Sequence, residues 1–266
     1  MSEPLLEEER LREAVAEYSR RLHRAGWVAN HDGNVSVRVG PGRFLATPTA
    51  VSKGAVTPEM VLVLDGEGKK LAGRLGAPSE VALHAACWRA RPDVAAVLHA
   101  HPPHATGMAV AGAALDVRIL PEAIVSLGEV PTVPFAAPGP AAAEALAPFL
   151  ARADALLLAS HGVLTVGPDL ETAYLRMELV EHLARITLAA RAAGGARPVP
   201  EEVVQKMLEA RRKAGLGPGA VAPAAVAPPA VPAAPAAALR AGALSSPSAD
   251  LRAIIAAEVA KALREG

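Results

Sequence analysis

One cysteine in 266 residues, Cys87, leaves this chain no intrachain disulfide, which fits a reducing cytosol. It lies in Val81-Ala-Leu-His-Ala-Ala-Cys-Trp-Arg, a helical pattern, and reads as a buried, inert thiol. An excess of either charge is also missing. The 27 basic and 27 acidic residues sum to zero and are spread along the chain, which argues against an electrostatic surface for nucleic acid or an anionic membrane. The N-terminus, Met-Ser-Glu-Pro-Leu-Leu-Glu-Glu-Glu-Arg, is acidic and lacks the apolar core of a secretory signal. No apolar run in the folded part reaches the roughly 20 residues of a membrane span. These absences predict a soluble, cytoplasmic protein whose partners are neither nucleic acid nor membrane.

What the sequence does have is a pair of histidines closing an apolar run, Asp93-Val-Ala-Ala-Val-Leu-His-Ala-His-Pro. The run has the length of a buried strand. Strand side chains alternate, so His99 and His101 point to one face. Pro102 and Pro103 stop the strand and leave the pair at an open rim. A lone His-x-His is equally well two histidines that follow a core strand. Glu80 upstream and His161 downstream, the latter ending a second apolar run, tip the balance. Three histidines and a carboxylate form a ligand set for a divalent ion, most readily zinc.

The elements alternate. Residues 5–24 predict an amphipathic helix, with Leu11, Val15, Tyr18 and Leu22 at helical spacing. A turn at Asp32-Gly33 feeds an alternating strand, and Phe44-Leu-Ala-Thr-Pro-Thr reads as its hairpin partner. Another strand and tight turn follow at Thr57 to Gly68. Ser79-Glu80 opens a helix to about Arg91, and taken alone Glu80 reads as a helix-start acid. The spacing then predicts a helix at Thr106–Ala113, strands at Leu115–Leu120 and Pro131–Phe135, a helix at Pro140–Arg152 and strands on either side of Ser160-His161-Gly162. Asp169–Ala193 is the longest helix signal, with Leu175, Leu179, His182, Leu183 and Ile186 near one stripe and His182 read as a packing residue. A last helix spans roughly Pro200–Ala214. Hairpins among alternating helices argue for a mixed sheet.

Composition divides the chain into a folded domain over 1–214, an Ala/Pro-rich linker over 215–247 and a short helix over 248–266. The last has Ser248 as a cap and Leu251, Ile255, Val259 and Leu263 on one stripe. A helix this short is marginal alone in water, so it is expected to fold against a partner.

Six separated motifs, Asp32-Gly-Asn-Val-Ser-Val-Arg, Thr47-Pro-Thr, Pro78-Ser-Glu, Arg91-Pro-Asp, His99-Ala-His-Pro and Ser160-His-Gly, together resemble the class II aldolase/adducin family over about residues 8–195, in particular its branch acting on L-fuculose phosphate. The resemblance implies an α/β/α sandwich around a mixed, mostly antiparallel sheet, assembled as a homotetramer with active sites between subunits. It implies that His99, His101 and His161 are zinc ligands, that Glu80 is a fourth ligand and the base in turnover, and that Gly33, Asn34, Thr49 and Ser79 cradle a phosphate. The bland readings are a turn for Gly33 and Asn34, a strand-end residue for Thr49 and a cap for Ser79. The implied reaction is cleavage of a phosphorylated ketose to dihydroxyacetone phosphate and an aldehyde through an enediolate. A decarboxylase, epimerase or dehydratase of the same fold, or a non-catalytic module like the head domain of adducin, is the alternative.

The chain also departs from that pattern. Glu122 takes the place of the tyrosine that protonates the departing oxygen, Pro78 replaces a phosphate-site serine, and Ala50 replaces a glycine. Lys53 reads either as a compensating charge or as a solvated surface lysine. The linker and helix after residue 214 resemble the encapsulation peptides that dock enzymes onto shell proteins inside bacterial microcompartments.

Overall fold

The computed structural model describes residues 3–137 and 139–218. The linker from residue 219 onward and the helix expected over 248–266 lie outside the described residues. Helix α1 (Glu3–Arg24) leads to strand β1 (Asn34–Gly40), which turns at Pro41-Gly42 into β2 (Arg43–Ala46). After two 3-10 turns come the hairpin β3 (Leu62–Asp65) and β4 (Lys70–Ala72), helix α2 (Val81–Ala90) and strand β5 (Ala96–Ala100). Helices α3 (Pro103–Val110) and α4 (Pro121–Ser126), strand β6 (Thr132–Val133), helix α5 (Pro140–Leu150), strands β7 (Ala155–Leu158) and β8 (Gly162–Gly167), and helices α6 (Leu170–Ala192) and α7 (Glu201–Lys213) complete it.

The strands form one sheet in the order β4-β3-β2-β1-β5-β8-β7-β6, antiparallel throughout except for β6 beside β7. Alternation along the strands supplies two apolar faces. Val35, Val37, Ala96 and Leu98 join one core, shared with Val15 and Leu22 of α1, Met108 of α3 and Met177 and Val180 of α6. Phe44, Leu62, Val97 and Leu164 join the other, under Leu83 and Trp88 of α2 and Leu146 and Leu150 of α5. Phe44 and Trp88 stack there with ring centroids 3.7 Å apart. The architecture is therefore the expected α/β/α sandwich around a mixed, mostly antiparallel sheet.

One buried carboxylate ties the layers together. Asp154, just before β7, is met by Arg91 at the end of α2 (3.0 Å), Arg176 of α6 (2.9 Å) and Arg211 of α7 (3.3 Å). Arg211 also donates to the carbonyls of Val125 and Ser126, which satisfies the end of α4.

Two expectations need correction. Leu115–Leu120 is not a strand. The Asp116 carboxylate accepts the Arg118 N–H at 2.9 Å and caps a 3-10 turn over Val117–Ile119; the in-out alternation of Leu115 and Val117 imitates a strand without a partner. On α6 the buried stripe runs through Ala173, Met177, Val180 and Ala184, whereas Leu175 and His182 are exposed. Leu183 of the expected stripe is fully buried and Leu179 packs against the core, but the face is turned toward Met177 and Val180. It also carries Arg176, paired with Asp154, and Glu181, which accepts the N–H groups of His104 and Ala105.

Candidate metal centre

The register brings three distant segments to one edge of the sheet. Asn34 at the start of β1 pairs with His99 near the end of β5, and His99 pairs with Leu164 of β8. The β7–β8 turn delivers His161 to the same edge, with Ser160 in the left-handed region at φ 54°. A Cβ on Gly162 would collide with the His101 ring and the Ala100 carbonyl, so only glycine lets the second histidine segment approach the first.

His99, His101 and His161 gather here, with ligand atoms all within 4.8 Å of one another. Nε2 of His101 lies 3.1 Å from that of His99. Glu80 occupies the N-cap position of α2 yet makes no side-chain bond to the helix. Its carboxylate instead bridges His161 Nε2 at 2.7 Å and His99 Nε2 at 3.2 Å. Burial would raise the Glu80 carboxyl, but bonds and charge from His161 and His99 hold it well below the usual carboxylate range. His99 is fully buried, while His101 and His161 stay partly exposed, which leaves one side open as the rim position implied.

The far nitrogens of two rings are spoken for. His99 Nδ1 donates to the Val163 carbonyl at 2.9 Å and His101 Nδ1 to Asp32 at 2.8 Å. Both acceptors force the proton onto Nδ1 and turn Nε2 inward. The two inward Nε2 atoms lie 3.1 Å apart, and the Glu80 carboxylate stands beside His99 and His161. That donor set, with a carboxylate alongside, fits a divalent cation.

Of the remaining expected residues, Gly33 packs against His99: a Cβ there would lie 3.1 Å from the His99 carbonyl and 2.5 Å from Val28, and its φ is 72°. Asn34 is buried beside it, with Oδ1 unpartnered among the described residues. Thr49 is joined to Gly76 through its N–H (3.0 Å), and exposed Ser79 precedes Glu80. Glu122 stands apart, exposed in the first turn of α4. Cys87 is buried, and burial pushes its thiol up to about 12, as an inert thiol requires.

Asp32 and His84 were not legible beforehand, and of the two readings of Lys53 the solvated one is corrected. Asp32 was read only as a turn residue. Lys53 is buried rather than solvated. His84, one turn after Glu80, is buried with Nδ1 2.6 Å from Ser36 Oγ. For His84 the Glu-x-x-x-His spacing was the available signal, since i and i+4 share a helix face.

Comparison with known proteins agrees with this picture. Residues 13–188 match the family described as Class II Aldolase and Adducin N-terminal domain. The 5-methylthioribulose-1-phosphate/5-deoxyribulose-1-phosphate aldolase of Escherichia coli O45:K1 is 29% identical over 62% of this chain and 78% of its own. The 3-oxo-tetronate 4-phosphate decarboxylase of Haemophilus influenzae is 32% identical over 66% of this chain and 85% of its own. L-fuculose phosphate aldolase of Escherichia coli K12 is 30% identical over 79% of this chain and 98% of its own. The crystal structure of YgbL from Escherichia coli superposes with a TM-score of 0.71 at 27% identity, covering 76% of this chain and 99% of that one.

Proposed function

Because the chain belongs to the class II aldolase and adducin family, we propose that it is a metal-dependent lyase that cleaves a phosphorylated ketose to dihydroxyacetone phosphate and an aldehyde. The observation that carries this reading is Glu80, turned off its own helix to bridge His99 and His161. His99, His101 and His161 would hold the ion, zinc by the chemistry of the donors, with Glu80 as a displaceable fourth ligand. A divalent cation bound there supplies Lewis-acid stabilisation of negative charge on the substrate's oxygens. Released from the imidazoles, a Glu80 oxygen would exchange a proton with the substrate carbon. Gly33, Asn34, Thr49 and Ser79 would receive the phosphate. Glu122 would serve the departing oxygen from a neighbouring subunit of a homotetramer.

A decarboxylase is the second reading, favoured by the 32% identity to an enzyme of that description. A metal-replete screen of ketose phosphates and sugar-acid phosphates decides. Dihydroxyacetone phosphate released together with an aldehyde supports the aldolase. Carbon dioxide released from a sugar-acid phosphate supports the decarboxylase, whatever ketone phosphate accompanies it. Release of neither an aldehyde nor carbon dioxide from any substrate overturns both.

For the tail we propose docking to a shell protein of a bacterial microcompartment, which would confine the aldehyde. The support is the apolar stripe Leu251, Ile255, Val259 and Leu263 after a Pro-rich spacer. A fluorescent protein fused to residues 217–266 should co-localise with co-expressed shells, and Leu251→Glu with Ile255→Glu should abolish this. A diffuse signal from the unmutated fusion defeats the idea.

A further inference from the structure

Lys53 is 1% exposed, at the start of a 3-10 turn whose backbone is pinned by Ser19 Oγ of α1 donating to the Lys53 carbonyl at 3.1 Å. Its ammonium donates to the carbonyls of His31 and Val51, each at 3.0 Å. His31 lies two residues before Gly33, and Val51 two residues after Thr49. One side chain therefore staples the two loops that carry Gly33, Asn34 and Thr49. The Thr49 N–H, bonded to Gly76, extends the staple toward the segment carrying Ser79.

A neutral donor would suffice for a staple alone. An ammonium offers three donors, and two of them account for every acceptor found for Lys53 among the described residues. Taking that charge out of water is costly, and carbonyl dipoles repay only part of it. No carboxylate among the described residues pairs with it; Asp32 and Glu80 act on it only through space, favouring its charge against burial. An anion in the adjoining cradle would complete the balance, because attraction is strong where water is excluded.

We propose that Lys53 is the positioning residue that makes this site select a phosphorylated substrate end, by holding the two cradle loops together and placing behind them a positive charge that no carboxylate is bonded to. The inference rests on the reading of the site as one for a sugar phosphate.

The test is the ratio of affinities of the metal-replete enzyme for dihydroxyacetone phosphate and for dihydroxyacetone, measured by calorimetry, with metal content determined separately. The wild type should favour the phosphate. Lys53→Gln keeps neutral donors for the carbonyls and should lower the ratio by about tenfold or more, as should Lys53→Met. Lys53→Arg keeps the charge and should hold the ratio closer to wild type than Lys53→Gln does. A wild-type ratio in Lys53→Gln overturns the role of Lys53. No preference for the phosphate in the wild type overturns instead the reading of the site. Should neither neutral variant fold, Lys53→Arg decides alone, and a ratio fallen by about tenfold or more overturns the proposal.

Discussion

Oδ2 of Asp32 lies 2.8 Å from Nδ1 of His101 and accepts its hydrogen bond, so a residue of the turn before β1 sets the direction of a ring just past β5. Oδ1 of the same carboxylate accepts the Ala29 N–H, which fixes the turn itself. Outer partners of this kind typically change metal affinity by about 10- to 100-fold. Asp32→Asn should weaken zinc binding by that amount in chelator competition, with the fold intact by circular dichroism. Unchanged affinity would show that the His101 ring is held by its packing alone.

The histidines and Glu80 should separate in their effects. His99→Ala or His161→Ala should lose bound metal and turnover together. Glu80→Gln should retain metal, because three imidazoles remain, and lose most turnover. Metal analysis beside a steady-state assay distinguishes them, and full activity in Glu80→Gln removes Glu80 from proton transfer.

Glu122→Gln should lower turnover without changing metal content, since Glu122 lies on the exposed start of α4 and is not among the clustered side chains. An unchanged rate would mean that another group, or water, supplies the proton.

Asp154 is the only carboxylate shared by Arg91, Arg176 and Arg211 among the described residues. Removing one partner of a buried charge cluster typically costs about 3–5 kcal/mol. Asp154→Asn should lower the unfolding free energy by that order in urea titrations, whereas Lys213→Ala, whose pair with Glu209 is exposed, should change it by about 0.5 kcal/mol or less. Equal effects would deny Asp154 its central place.

His84 gives stability a pH dependence of known sign. Burial first, and then the neighbouring His99, push its imidazole down to about 3 from an ordinary 6.5. The unfolded chain therefore takes up a proton near pH 6.5 that the folded chain refuses until about pH 3. Stability from this group is full above pH 6.5 and is lost progressively as pH falls through that window. Between about pH 6.5 and 5, above most carboxylate titrations, wild-type stability should fall more steeply than that of His84→Gln. Parallel slopes in urea titrations would show that His84 is protonated in the native state.

Spacing made the three histidines legible, and register brought them together. His99 and His101 share a face by strand alternation, and the apolar runs before them and before His161 announce buried strands. Nothing in the sequence says that β1 lies beside β5, so Asp32 could be read only as a turn. Lys53 misled for a related reason. Its short surroundings, Val51-Ser-Lys-Gly, look like a surface loop, and burial is imposed by α1, whose Ser19 reaches Lys53 from 34 residues away. Glu80 was ambiguous by physics, because an acid before a helix serves equally as a cap. Leu115–Leu120 had the right alternation and the wrong partner, an aspartate at its second residue in place of a neighbouring strand.

The short strand β7 has Asp154 before its first residue and His161 three residues beyond its last. Four residues of strand span only about 13 Å, yet they separate two poles with different duties. Arg211 anchors α7 to the Asp154 pole, and Gly217 lies against the same guanidinium. The chain thus leaves the domain at the pole away from the histidines, and that exit works as a handle. An immobilising support, a reporter or a second protein joined after residue 218 would attach beside Asp154, at the end of β7 away from His161 of the same chain.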